Sequence, residues 1–148
     1  MVVMEELFEL KTAIKEQRYL DALNLVEKME EMSRDDKINK IDSFSLILFL
    51  HLIKQHAEKR TTRLWDLSIH HAVRQICRTN KRRKSGGYYL NEDELSNIIE
   101  DAYSTALKMA ALEAFEGQYT AEQLSKQVVE ATIKHQALEL IWAEMKTD

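Results

Sequence analysis

Proline is absent from this chain, and glycine occurs only at Gly86, Gly87 and Gly117. Proline breaks helix interiors and glycine weakens them, so their scarcity favours long uninterrupted helices. A single cysteine, Cys77, excludes an internal disulfide and any need for an oxidising compartment. Aromatic residues are few, at 7%. The start, MVVMEELFEL, lacks the basic n-region and apolar stretch of a signal peptide. The apolar run from Phe44 to Ile53 is about half of the roughly 20 residues that cross a bilayer. The expectation is a cytoplasmic protein with no membrane partner. A net charge of −4 is too mild to argue for nucleic-acid binding by itself.

What is present reads as one all-α domain over 1–148, a bundle of five to six helices around a central apolar helix at about 33–58. That helix carries FSLILFLHLI, apolar on nearly every side, which marks a buried element with partners all round. The periodicity of Leu7, Leu10, Ala13 and Ile14 predicts a first helix over 4–16, and Gln17–Arg18 gives a break. A second helix follows through Leu20, Leu23, Val26 and Met29. Ser33 with Asp36 reads as a variant capping box opening the central helix. AIKEQRYLDALNLVEKME has the look of a tetratricopeptide pair, but one copy without neighbours cannot bury its faces and is rejected as the fold.

Thr61 or Thr62 caps the next helix, with a buried face of Leu64 or Trp65, Ile69, Ala72 or Val73, and Ile76, ending near Thr79. NKRRKSGGYYL, 80–90, is a flexible basic loop. Asn91 with Glu94 caps a helix running to about Glu116, whose face is Leu95, Ile98, Ile99, Ala102, Ala106, Met109 and Ala110. Gly117 stands where a left-handed helix end favours glycine. Thr120 with Gln123 is a capping box for the last helix. There Leu124, Val128, Ala131, His135, Leu138, Trp142 and Met145 form a heptad-like seam.

Charge is segregated. Residues 54–84 hold ten basic and two acidic side chains, whereas 1–53 carry −4 and 85–148 carry −8. Arg78, Lys81, Arg82, Arg83 and Lys84 are therefore candidate nucleic-acid contacts, with Tyr88 and Tyr89 as stacking surfaces. The plainer alternative is that these cations pair with acidic residues of flanking helices.

Metal or hydrolytic chemistry would rest on His51, Asp66 and His70. Asp66 and His70, four apart, can share a helical face, whereas His51 and His56 diverge by roughly 140°. No Glu-x-x-His, His-Glu-x-x-His, phosphate-cradling glycine loop or nucleophile elbow occurs. No cofactor is expected. His51 and His135 read as core histidines, Cys77 as a small core residue, and Trp65 and Trp142 as core anchors.

EKMEEMSRDDK, HLIKQ, RLWDLSIHHAVRQI and AYSTALKMAALE together resemble the bacterial domain-of-unknown-function family twenty-nine. Glu27 or Glu30, Met32, Ser33, His51, Leu52, Lys54, Trp65, Ile69, Tyr103, Ala106 and Ala110 match its pattern. Leu64 stands where that family has serine, and Ala72 and Val73 replace a polar and basic pair. The resemblance covers about 25–113, with a poor fit at both terminal helices. It implies an all-helical bundle in a bacterial cytoplasm and no activity. The functional expectation is a non-enzymatic helical module that binds a protein partner or itself. Nucleic-acid binding through 78–84 is the alternative, and a site at His51, Asp66 and His70 the third.

Overall fold

The computed structural model describes residues 3–82 and 86–147. It is all-α, with no strand among the described residues beyond a single bridge pair, Lys81 with Tyr88. The order is α1 (Val3–Lys15), α2 (Tyr19–Glu58), α3 (Arg63–Asn80), α4 (Glu92–Asp101), α5 (Tyr103–Glu113), a 3-10 turn (Ala114–Gly117), α6 (Ala121–Ser125) and α7 (Glu130–Thr147). Two compact units divide the chain, Met1–Ile38 and Asn39–Asp148.

In the first unit, α1 stops as the sequence predicts. Gln17 adopts φ 60°, its N–H meets the Ile14 carbonyl, and the Arg18 N–H reaches the Ala13 carbonyl at 2.8 Å. This paired pattern closes a helix with a left-handed residue, here glutamine rather than glycine. Arg18 then holds Glu16 at 2.8 Å and Asp21 at 3.1 Å, which raises the guanidinium pKa through those two hydrogen bonds. The buried apolar residues described in this unit are only Ala13 and Ala22.

The predicted start at Ser33 is overturned: α2 runs unbroken from Tyr19 to Glu58. Ser33 and Asp36 lie exposed inside it. A Ser-x-x-Asp spacing also arises by chance on a helix surface, and without a preceding breaker the backbone N–H groups already have helical partners.

The second unit is built on the C-terminal half of α2. Ile41, Leu48, Phe49, Leu50, Leu52, Ile53 and Ala57 are buried, so the apolar run is the central element. Ser45 is also fully buried, and its hydroxyl donates to the Ile41 carbonyl at 2.7 Å. Phe49 meets Tyr103 edge to face at 5.3 Å, joining α2 to α5. Thr62 caps α3 through the Trp65 N–H. Ile69, Ala72, Val73, Ile76 and Cys77 of α3 are buried, and the Cys77 thiol lies 3.6 Å from the Ile141 carbonyl of α7.

The loop after α3 is tied at both ends. Asn80 donates to the Leu90 carbonyl and accepts from the Leu90 N–H, while the Arg82 N–H bonds Gly87 and the Tyr89 N–H bonds Asn80.

Three further expectations change. The helix predicted from Asn91 to Glu116 is divided at Ala102 into α4 and α5, and α5 ends at Glu113. Beyond it Phe115, Glu116 and Gly117 are all left-handed; a Cβ on Gly117 would stand 3.1 Å from the Leu112 carbonyl. The Thr120–Gln123 capping box is present, but it opens the five-residue α6, and α7 begins separately at Glu130. Of the predicted seam Leu124 is buried, but on α6, and the α7 part is out of register. Ile133, Ala137 and Ile141 are buried against α3, whereas Ala131 and His135 are exposed and Leu138, Trp142 and Met145 only half-buried.

Candidate functional site

The polar chemistry of the second unit gathers where α2 leaves the core. Lys54 follows the apolar run, so its stem is carried inward; its side chain is 8% exposed and that of Glu113 48%. Burial of an ammonium requires a partner. The Lys54 ammonium meets Glu113 Oε1 at 3.1 Å and sits 4.6 Å from the centre of the Trp65 ring. The Arg60 guanidinium lies at the same distance from that indole. Trp65, not Leu64, is the residue turned inward; Leu64 is exposed.

His51 lies one turn before Lys54 and is half-buried. Its Nδ1 is buried without a hydrogen-bond partner. Desolvation first, and then the Lys54 charge, hold its pKa below the usual histidine value, with Glu113 pulling the other way. On the neighbouring turn the His56 ring meets Gln136 at 2.6 Å. Burial, aided by Glu130, pushes the Tyr103 phenol up to about 12, and the Lys134 ammonium stands 5.5 Å from its ring.

His51, Asp66 and His70 do not come together as a metal centre. Among the described residues no three His, Cys, Asp or Glu side chains form a group that could hold an ion. Asp66 instead accepts from Thr61 at 2.8 Å and from Gln55 at 3.0 Å, and His70 is exposed. His135 is no core histidine either: it is exposed and lies 2.9 Å from Glu139. Sequence reasoning missed the Lys54–Glu113 pair, because 59 residues separate its members and no local period links them.

Of the basic candidates, Arg78 is on the outer face of α3, and Lys81 and Arg82 are exposed just beyond it. The Arg82 guanidinium lies 5.3 Å from the Tyr89 ring. Arg83 and Lys84 lie outside the described residues. The structure adds Arg63 and Arg74, exposed on α3 with Arg78. Their 11- and 15-residue offsets from Arg63 return to one face at about 100° per residue, a period that was available in the sequence.

The first unit has a different surface. Leu7, Phe8, Ile14, Tyr19, Leu20, Leu23 and Val26 are all exposed. Phe8, Thr12, Arg18, Asp21 and Leu25 help line an open cavity of about 430 Å³ there.

No described helix is long and apolar enough to cross a membrane. No curated protein and no solved structure matches the chain. One family model does, that of the Domain of unknown function DUF29, over residues 5–141, which reaches into both terminal helices, beyond the 25–113 of the resemblance. Nearly the whole chain is thus matched, and the protein belongs to the DUF29 family.

Proposed function

We propose that the chain is a non-enzymatic helical interaction module whose first unit pairs with a second copy of itself. The supporting observation is the exposed apolar surface of α1 and the start of α2, with Phe8 73%, Leu20 74% and Leu23 60% exposed. Tyr19, Leu23 and Val26 recur at spacings of four and three, the stripe by which one helix packs on another. A core whose buried apolar members are two alanines is too thin to account for seven large apolar side chains left in solvent.

The occupant follows from symmetry. Leu7 and Ile14 share one open face of α1, and Tyr19, Leu23 and Val26 one open face of α2, an exposed apolar surface of the kind that marks an interface. Two helical hairpins placed face to face make a four-helix arrangement, and one self-complementary patch serves both copies. A bacterial cytoplasmic setting belongs to the same reading, since a lone thiol such as Cys77 stays reduced there.

Sedimentation equilibrium tests this. The expected mass is twice that of the chain, falling to the single-chain value in Leu20→Glu/Leu23→Glu with unchanged helical circular dichroism. A chain that stays monomeric up to its solubility limit, or a double variant that still dimerises, would sink it.

A further inference from the structure

The outer face of α3 carries a second surface, distinct from the apolar one and independent of self-association. Arg63, Leu67, His70, His71, Arg74 and Arg78 are all exposed and fall within about 100° of arc. Lys81 and Arg82, exposed beyond the helix end, prolong the cationic row. At about 1.5 Å per residue Arg74 and Arg78 stand about 6 Å apart along the helix axis, and Lys81 follows at the helix end.

Solvated helices ordinarily interleave both signs, because an opposite charge four residues away is favourable. Here it is missing. From 59 to 82 the one carboxylate is Asp66, which is engaged by Thr61 and Gln55. Arg63, Arg74, Arg78 and Lys81 make no ion pair among the described residues, whereas Lys54 and Arg60 nearby do. Pairing with flanking acidic helices, the plainer account of the basic segment, therefore does not describe these four.

We infer that this face binds the sugar-phosphate backbone of double-stranded nucleic acid. A row of unpaired guanidinium groups suits a row of phosphate oxygens, each held through forked hydrogen bonds. A membrane surface is the weaker fit. The apolar side of α3, Ile69, Ala72, Val73 and Ile76, is spent in the core, leaving only Leu64 and Leu67 to enter lipid. Backbone contact implies little preference among sequences.

The test is fluorescence anisotropy of the full chain with a labelled mixed-sequence DNA duplex of about 20 base pairs, and with the matching RNA duplex, as salt is raised. Four phosphate contacts give a slope of about −3.6 in log affinity against log salt, a loss of roughly two orders of magnitude between about 50 and 200 mM. Arg74→Gln and Lys81→Gln each shorten that slope by about 1. Arg74→Glu/Arg78→Glu lowers affinity by more than about tenfold with circular dichroism unchanged, and Lys108→Glu, exposed on α5, leaves it unaltered. Binding to one duplex or both, with these losses, upholds the inference and shows which backbone is preferred. No binding at low salt, binding indifferent to the α3 reversals, or capture by phosphatidylglycerol vesicles without duplex binding would each overturn it.

Discussion

At the residue scale, the Lys54–Glu113 pair is asymmetric, because the ammonium is buried and the carboxylate is half in water. Removing either partner breaks the same 3.1 Å contact, but what is left behind differs. Glu113→Ala strands a cation beside Trp65 and is expected to cost about 2 kcal/mol, below the full buried-pair penalty because Glu113 is screened. Lys54→Met leaves a carboxylate that water can reach and a side chain that fills the core, at a cost of about 1 kcal/mol or less. Urea denaturation of the two variants checks the order; equal losses would mean that the burial of Lys54 is not what matters. His51 makes a pH prediction on the same turn. Its pKa is lowered by folding, so below the usual value near 6.5 the folded chain binds fewer protons than the unfolded one. The stability that neutral His51 contributes is complete above about 6.5 and is lost as pH falls through the folded-state pKa. Denaturation midpoints measured between about pH 7 and 5 should therefore drop less steeply in His51→Gln than in the parent; parallel curves would dismiss the effect.

At the scale of elements, caps were legible because they are local. Thr62, the Asn91–Glu94 box and the Thr120–Gln123 box all form with the partners that their spacing requires. Ser33 was the exception, and the contrast gives a prediction. Thr62→Ala and Asn91→Ala each remove an acceptor for an orphan N–H and should cost about 1 kcal/mol, whereas Ser33→Ala, inside α2, should be neutral or slightly stabilising. Thermal melts of the three variants decide it, and a loss at Ser33 as large as at Thr62 would restore the break. The terminal helix was misread for a non-local reason. Both Ile133, Ala137, Ile141 and Leu138, Trp142, Met145 follow helical spacing. Which stripe is buried depends on where α3 lies, and no window of sequence contains that. The division at Ala102 and the left-handed turn at Phe115–Gly117 carry no proline and only one glycine to announce them.

At the scale of the molecule, the sequence made the central helix plain, since an apolar run with no polar side has one physical outcome in water. It did not separate covered apolar stripes from open ones. An amphipathic stripe looks the same whether it is covered by the chain's own helices or left open, so the α7 seam and the α1–α2 stripe were indistinguishable until burial was known. The open stripe has a consequence for stability that the covered one lacks. If unit-one surfaces pair, folding is linked to association, and dilution favours the unfolded chain by mass action. The melting temperature of the parent should then rise with protein concentration, by a few degrees over about a hundredfold range, since a gain of 1 kcal/mol moves the midpoint by roughly 2–4 °C in a domain of this size. Leu20→Glu/Leu23→Glu should melt at one temperature whatever its concentration. The comparison separates two causes of a low midpoint: a charge that merely damages the hairpin lowers the temperature but leaves the parent's concentration dependence in place in the variant. A parent midpoint that does not move with concentration would leave those seven side chains without a second copy to cover them.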